Sequence, residues 1–322
     1  MIVPRKWLGR VITGLIMTTA VVGSPARAQT YPIAPVRIIS PLGAGGATDV
    51  ATRLVAEHLG KIWAQEVVVI NQPGDGGAIA AHTAASAAPD GQTLFMATAS
   101  TFTSLPVLQP GLPFQVNDFV PIGFVGEVPM AVAVNKDLPV SSLADLIALS
   151  NKQTAGLNIA AGFRGGMPHQ TAVLFRQRSG ANLTPIFYAS QPQATTDVIA
   201  GRLPVTIEGM AGTIINAPVK LLAIAARERL TTRPDVPTVS ETLPGFTASG
   251  WFVLVAPPGT PAAIVEKVSN DLQTVLAQPD IRQRFNDLSL LTRSLSPQGL
   301  ADFIRSEQEL WRPVIKEIAK AT

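Results

Sequence analysis

Few residues in this chain are arranged to do chemistry, and the densest group works through the main chain. Pro41-Leu42-Gly43-Ala44-Gly45-Gly46-Ala47-Thr48-Asp49 follows a β-branched run, Val36-Arg37-Ile38-Ile39. It precedes a stretch in which Val50, Leu54, Val55 and Leu59 share one helical face. The order is therefore strand, glycine turn, helix start. Glycine has no Cβ, so its backbone turns sharply and can approach a ligand closely. The first N–H groups of a helix have no internal partner and lie at the positive end of its dipole. Such a turn suits a carboxylate or a phosphate. The plain alternative is a tight turn that binds nothing, and the stretch taken alone favours it.

Catalytic and metal patterns are weaker. Gly43-Ala44-Gly45-Gly46-Ala47-Thr48 is half a dinucleotide fingerprint, without its third glycine. The acidic residue that fingerprint needs at the end of the second strand is missing: Glu66 precedes the strand and Asn71 follows it. A nicotinamide or flavin site is discounted, and no cofactor is expected. Neither a phosphate-binding G-x-x-x-x-G-K-[ST] nor a nucleophile elbow G-x-S-x-G occurs. His58, His82 and His169 are far apart in sequence, so no metal site is expected. His58 and His82 lie in helical stretches as ordinary packing or surface residues. His169 follows a glycine turn; it either faces a cleft or helps to start a helix. The chain has no cysteine, which excludes disulfides, thiolate metal sites and cysteine nucleophiles.

The elements that position these residues follow an export signal. Arg5, Lys6 and Arg10 precede an apolar run from Val11 to Val22, and Ala26-Arg27-Ala28 is an A-x-A cleavage site. Cleavage after Ala28 would leave 294 of the 322 residues, enough for two domains of ~150 residues each. The formal charge of +3 changes with it. Removing Arg5, Lys6, Arg10 and Arg27 from the 25 basic residues leaves 21 against 22 acidic, a net of −1. No basic cluster remains to suggest nucleic acid. The expected product lies outside the cytoplasm.

After the signal, strands and helices alternate. Val36–Ile39 reads as the first strand and Asp49–Leu59 as the first helix. Val67-Val68-Val69-Ile70 reads as a strand of a parallel sheet covered on both faces. A second glycine loop, Asn71-Gln72-Pro73-Gly74-Asp75-Gly76-Gly77, leads into an alanine-rich helix over 78–88. Thr93–Ala97 is the third strand, and hydroxyls follow it: Thr98, Ser100, Thr101 and Thr103. Ligands of open α/β sheets sit beyond the carboxyl ends of strands, so one cleft lined by all three loops is expected. A proline-punctuated stretch leads to a strand at Val128–Val134, a helix over 143–149, and a second α/β series. That series has strands at Leu157–Ala160, Thr184–Phe187, Val205–Ile207 and Leu221–Ala225. Trp251–Val255 is a further strand. Thr260 and Pro261 read as N-cap and first residue of the next helix. Ser296 and Pro297 start the last helix, with a kink expected near Pro313. Two α/β lobes crossed by extended segments suggest a hinged receptor. The rival from another class is an exported α/β hydrolase.

At this point the chain resembles the substrate-binding proteins of tripartite tricarboxylate transporters, also called Bug receptors. The resemblance runs from Tyr31-Pro32 to the last helix. It rests on Pro41–Asp49, Asn71–Gly77 and Pro89-Asp90-Gly91-Gln92-Thr93-Leu94. It rests also on Pro234-Asp235-Val236-Pro237-Thr238 and on Leu254-Val255-Ala256-Pro257-Pro258-Gly259-Thr260-Pro261. It implies a periplasmic, two-lobe, type II-like Venus-flytrap fold, each lobe a mostly parallel sheet flanked by helices. The first lobe would span 29–128 and 255–322, the second 129–254. It implies a monomeric receptor and not an enzyme. The ligand would be a small organic carboxylate, and the partner a membrane permease or a signalling protein. By resemblance the ligand carboxylate would meet Leu42, Ala44, Gly46 and Thr48 in the first loop, Gly77 and Ala78 in the second, and Thr98 and Thr101 in the third. The distal end would meet Phe163, Arg164, His169, Tyr188 and Glu208. Here the chain departs from the family: a serine-rich turn becomes Gly162-Phe163-Arg164-Gly165-Gly166-Met167-Pro168, and a Tyr-Lys-Gly element becomes Tyr188-Ala189-Ser190. Arg164 would pair with a second carboxylate or point into solvent. Phe163, Met167 and Tyr188 make an apolar floor that favours a monocarboxylate or an aromatic carboxylate.

Overall fold

The computed structural model describes residues 1–2, 31–188 and 191–320. Apart from residues 1 and 2, the export signal and the cleavage after Ala28 lie outside the described residues. Strands β1 (Val36–Ser40), β2 (Val67–Asn71) and β3 (Thr93–Thr98) pair in parallel with β1 in the middle. Helices α1 (Ala47–Trp63) and α2 (Ala78–Ala85) connect them. β2 is an edge strand with Val68 exposed, not a strand covered on both faces. Its apolar run reports a strand but not its place in the sheet. The buried face of α1 holds Ala51, Val55, Leu59 and Trp63, which share one stripe at helical spacing. The helix ends at Ala64, which adopts φ of 50° and returns its N–H to Gly60 O. A left-handed alanine is strained where glycine is not. Ala64→Gly is expected to raise stability by about 0.5–1 kcal/mol, read as a higher urea midpoint.

The feature that joins the two halves is β4 (Val120–Asn135), a 16-residue strand. Its first part, from Val120 to Pro129, pairs antiparallel with β9 (Ser249–Ala256), which also pairs with β3. Its second part pairs antiparallel with β7 (Val205–Gly209) and β8 (Val219–Ile224). β5 (Leu157–Ala160) and β6 (Leu183–Ile186) lie parallel to β7. The order across both halves is β2-β1-β3-β9-β4-β7-β5-β6. Each lobe is thus a parallel set completed by antiparallel strands at the junction. The sequence indicates only Val128–Val134 as strand here, because prolines normally interrupt ladders. The strand tolerates Pro121 and Pro129 through register shifts near Pro121 and Phe124, and through a change of partner strand at Pro129.

The remaining helices are α3 (Ala99–Thr103), α4 (Leu105–Leu108), α5 (Leu143–Lys152), α6 (Met167–Ser179), α7 (Gln191–Ile199), α8 (Ala262–Ala277), α9 (Pro279–Asp287) and α10 (Pro297–Lys320). α8 starts one residue later than its sequence suggests: Pro261 is the N-cap, and Thr260 Oγ1 donates to Pro257 O at 2.8 Å. α10 contains Pro313 and buries Trp311 against the junction. The indoles of Trp251 on β9 and Trp311 both donate to Glu307 Oε2, at 2.9 and 3.2 Å. The Arg293 guanidinium lies 4.6 Å from the ring centroids of both Phe124 and Phe303. Among the described residues no helix is long and apolar enough to cross a membrane.

Candidate functional site

The first two loops form one surface. After β1 the chain turns through Pro41–Gly46, with Gly45 at φ of 85°. Gly46 caps α1 in an extended conformation without a side-chain acceptor, so the first-turn N–H groups point out of the helix end. Leu42 is partly buried, Ala44 exposed and Thr48 buried. In the second loop Gly74, Asp75, Gly76 and Gly77 have φ of 131, 48, 63 and 98°. Four successive positive values make a tight coil that three glycines and an aspartate tolerate. Gly77 rests on the first loop: a Cβ there would lie 3.4 Å from Pro41 Cβ. Gly77 and Ala78 are both buried. Gln109 Nε2 fixes the coil from outside, donating to Asp75 O at 3.0 Å and to Oδ1 at 2.9 Å.

Sequence pattern does not reveal how the first loop is held. Asp49 Oδ2 accepts from Gly45 N at 2.9 Å and from Arg53 Nε at 3.1 Å. Asn71 Nδ2 donates to Asp49 Oδ1 at 2.9 Å and to Leu42 O at 3.0 Å. Burial would raise the Asp49 carboxyl, but hydrogen bonds from Arg53, Gly45 and Asn71 hold it below its ordinary value. An aspartate three residues into a helix was the available signal.

The third region is a short helix, not a loop. Thr98 caps α3, and Thr98 N donates to Thr101 Oγ1 at 3.3 Å, closing a capping box. Thr98 Oγ1 also lies 3.0 Å from Ser100 Oγ. Thr98 and Thr101 are buried and bonded to each other.

On the second lobe, the turn after β5 leads into α6. Phe163 packs over Gly166, whose Cβ would lie 3.0 Å from the ring edge. His169 is 6% exposed; its Nδ1 accepts from Gly165 N at 3.1 Å, and its ring meets Phe187 edge-on at 4.7 Å. Burial, with the charges of Arg164 and Arg176, pushes the imidazole down to about 4, so it is neutral at pH 7. Arg164 NH2 donates to Ile318 O at 3.1 Å, on the last turn of α10. A cation there suits the negative end of the helix dipole. Tyr188 sends its hydroxyl to Asp197 Oδ2 at 2.7 Å, along the outside of α7. Glu208, on β7, is 1% exposed: Thr195 Oγ1 donates to Oε2 at 2.8 Å, and Oε1 has no partner among the described residues. Burial pushes this carboxyl up to about 7.

The two lobes touch at this edge. Thr103 on α3 and Gln170 on α6 are within hydrogen-bonding distance, with Nε2 donating to Oγ1 at 3.3 Å. A Cβ on Gly165 would lie 2.5 Å from Leu108 Cδ1. The structure therefore brings the first and second loops together, and sets α3 and α4 against the Gly162–His169 turn. Arg164 and Tyr188 have partners away from the first two loops. Among the described residues no group of three or more His, Asp or Glu could hold a metal. The chemistry on offer is main-chain recognition of an anion.

The architecture, with two α/β lobes and a shared strand, is that of the periplasmic solute-binding proteins. More narrowly, the chain belongs to the family described as "Tripartite tricarboxylate transporter family receptor", whose model matches residues 51–320. BugT of Bordetella pertussis is 32% identical over 312 residues, covering 95% of this chain and 96% of BugT. Among solved structures, Rpa4515 of R. palustris with adipate superposes with a TM-score of 0.84 at 26% identity, covering 90% of this chain and 98% of that one. MatC from Rhodopseudomonas palustris with bound malate gives 0.81 at 30% identity, covering 88% and 100%. The chain is a solute-binding receptor of this family, and the resemblance read from its loops is correct.

Proposed function

We propose that this receptor binds a small organic carboxylate between its lobes, in the periplasm, after cleavage of the signal at Ala28. The observation that carries the reading is the paired main-chain surface: the N-terminus of α1 beside the Gly74–Gly77 coil. Helix N-termini and backbone nests favour anions. The adipate in the Rpa4515 structure and the malate in MatC support the ligand class. The first lobe comprises 29–128 and 255–322, the second 129–254. The carboxylate docks on Gly43–Thr48 with Gly77 and Ala78, and the second lobe closes over it by hinge motion. Closure shifts the population because the ligand binds the closed state better. Phe163, His169 and Glu208 meet the far end. The closed monomer hands its ligand to a membrane permease or engages a signalling partner. Nothing in the site or the comparisons favours the hydrolase.

A thermal-shift panel tests this. It contains adipate, malate, aromatic monocarboxylates and uncharged amides as controls. At least one carboxylate is expected to raise the melting temperature; at 100 times its Kd a ligand adds ~2.7 kcal/mol. A flat response to every carboxylate would sink the proposal.

A further inference from the structure

We propose that Asp49, acting with Asn71, is the positioning residue of the anion site: it holds the Pro41–Gly46 turn in the shape that leaves the first N–H groups of α1 open to a ligand. This rests on the receptor reading above. Asp49 is 3% exposed and is the third residue of α1. Its two oxygens are filled from inside the protein, by Gly45 N, Arg53 and Asn71. Asn71 is the last residue of β2, and the amide that reaches Asp49 also holds Leu42 O. Its own Oδ1 accepts from Arg53 NH2 at 2.8 Å. The turn is therefore tied at Leu42 and again at Gly45, both to one carboxylate, directly or through one amide. Gly45 contributes the left-handed residue that lets its N–H point back at Asp49.

Asp49 cannot itself receive a ligand carboxylate. An ionised aspartate only accepts hydrogen bonds, and like charges repel. Its charge near the helix end would weaken an anion site if it were left alone. Arg53, one helical turn on and 3.1 Å from Oδ1, offsets it. The N–H of Gly45 and the carbonyl of Leu42 are occupied by this network. What remains for a ligand is the N–H set that follows them, at Gly46, Ala47 and Thr48.

The test measures two things on the full mature chain: the Kd for adipate and malate by calorimetry, and amide exchange of the ligand-free protein. Asp49→Ala and Asn71→Ala are each expected to weaken binding about tenfold or more, the cost of losing hydrogen bonds to a charged group. Both should speed exchange over Gly43–Thr48 while β1 and the later turns of α1 keep their protection. Asp49→Asn should recover part of both effects, because its carboxamide oxygen still accepts from Gly45. Lys61→Ala, at the exposed far end of α1, should change neither. A looser turn with unchanged Kd overturns the positioning role. Weaker binding with unchanged exchange also overturns it, since Asp49 would then act on ligand charge and not on turn shape. Wild-type protein silent to both carboxylates and to the whole panel defeats the receptor reading and this role with it, and the wild-type titration alone reveals that case.

Discussion

Glu208→Gln is expected to stabilise the protein above pH 7 and to change it little in acid. Burial raises the Glu208 carboxyl from 4.5 to about 7, against the pull of the Thr195 hydrogen bond. The folded chain thus keeps a proton that the unfolded chain releases between those values. The stability this contributes is fully present below 4.5 and is lost as pH rises through about 7. A shift of this size in a buried group corresponds to on the order of 3 kcal/mol. Glutamine resembles the neutral acid and ends that dependence. His169 works in the opposite sense. Its folded value of about 4 lies below the ordinary 6.5, so its contribution is present above 6.5 and lost as pH falls through about 4. The two slopes oppose each other over most of the same window. Wild type should look nearly flat from these groups, while Glu208→Gln exposes a rise with pH and His169→Asn a fall. Urea unfolding at about pH 5 and about pH 8 reads both. Equal effects of Glu208→Gln at both pH values would mean that its carboxyl titrates normally in the fold.

Gly165→Val should separate stability from binding. Gly165 has φ of 77°, and a Cβ there would press on Leu108 Cδ1 at 2.5 Å and approach Ser104 Oγ at 3.4 Å. The backbone strain of about 1–2 kcal/mol falls on every folded form. The overpacking, about 1–3 kcal/mol, falls only where the second lobe's turn meets α3 and α4. Affinity for the carboxylate is therefore expected to drop about 10- to 100-fold through the closed form. The clash is with the end of the Leu108 side chain, so Leu108→Ala in the same chain should restore most of the affinity and none of the backbone strain. Calorimetric Kd and small-angle scattering with ligand follow both effects. A variant that loses stability yet keeps its Kd would show that closure does not press Gly165 on Leu108.

Much of this was readable from local pattern, because strands, glycine turns and caps are local events. The run Val36–Ile39, the Gly43–Gly46 turn and the helix after it fall where their spacing puts them, but only Val55 and Leu59 of the expected stripe are buried: the core face is centred on Ala51, Val55, Leu59 and Trp63, with Val50 and Leu54 partly buried beside it. Readings fail where partners are distant or where polar residues are satisfied inside. Thr98–Thr103 looks like a loop by composition, yet a capping box makes it helical. The 191–199 helix has few apolar residues to announce it and is recognisable only by its packing of Ala194 and Val198 on β5. Arg164 had two destinations by sequence, ligand or solvent. It found a third, a helix carbonyl 154 positions away. Asn71 counted against a nucleotide because it was not acidic. Its positive role, bridging Leu42 and Asp49, needed the two loops in space.

The shared strand β4 has a consequence for how the chain can be divided. Each lobe takes half of it as a ladder partner, but only the first lobe's sheet is discontinuous: the second closes within residues 130–224, whereas the first needs β9 from far along the chain to join β3 to the first part of β4. A fragment that ends after the first part of β4 would lack β9 and leave the facing edges of β3 and β4 with rows of unsatisfied backbone groups. Bare sheet edges of that kind recruit other chains and aggregate. The first lobe is therefore not a unit that can be cut from one end of the chain: its sheet closes only when β9 returns across the junction.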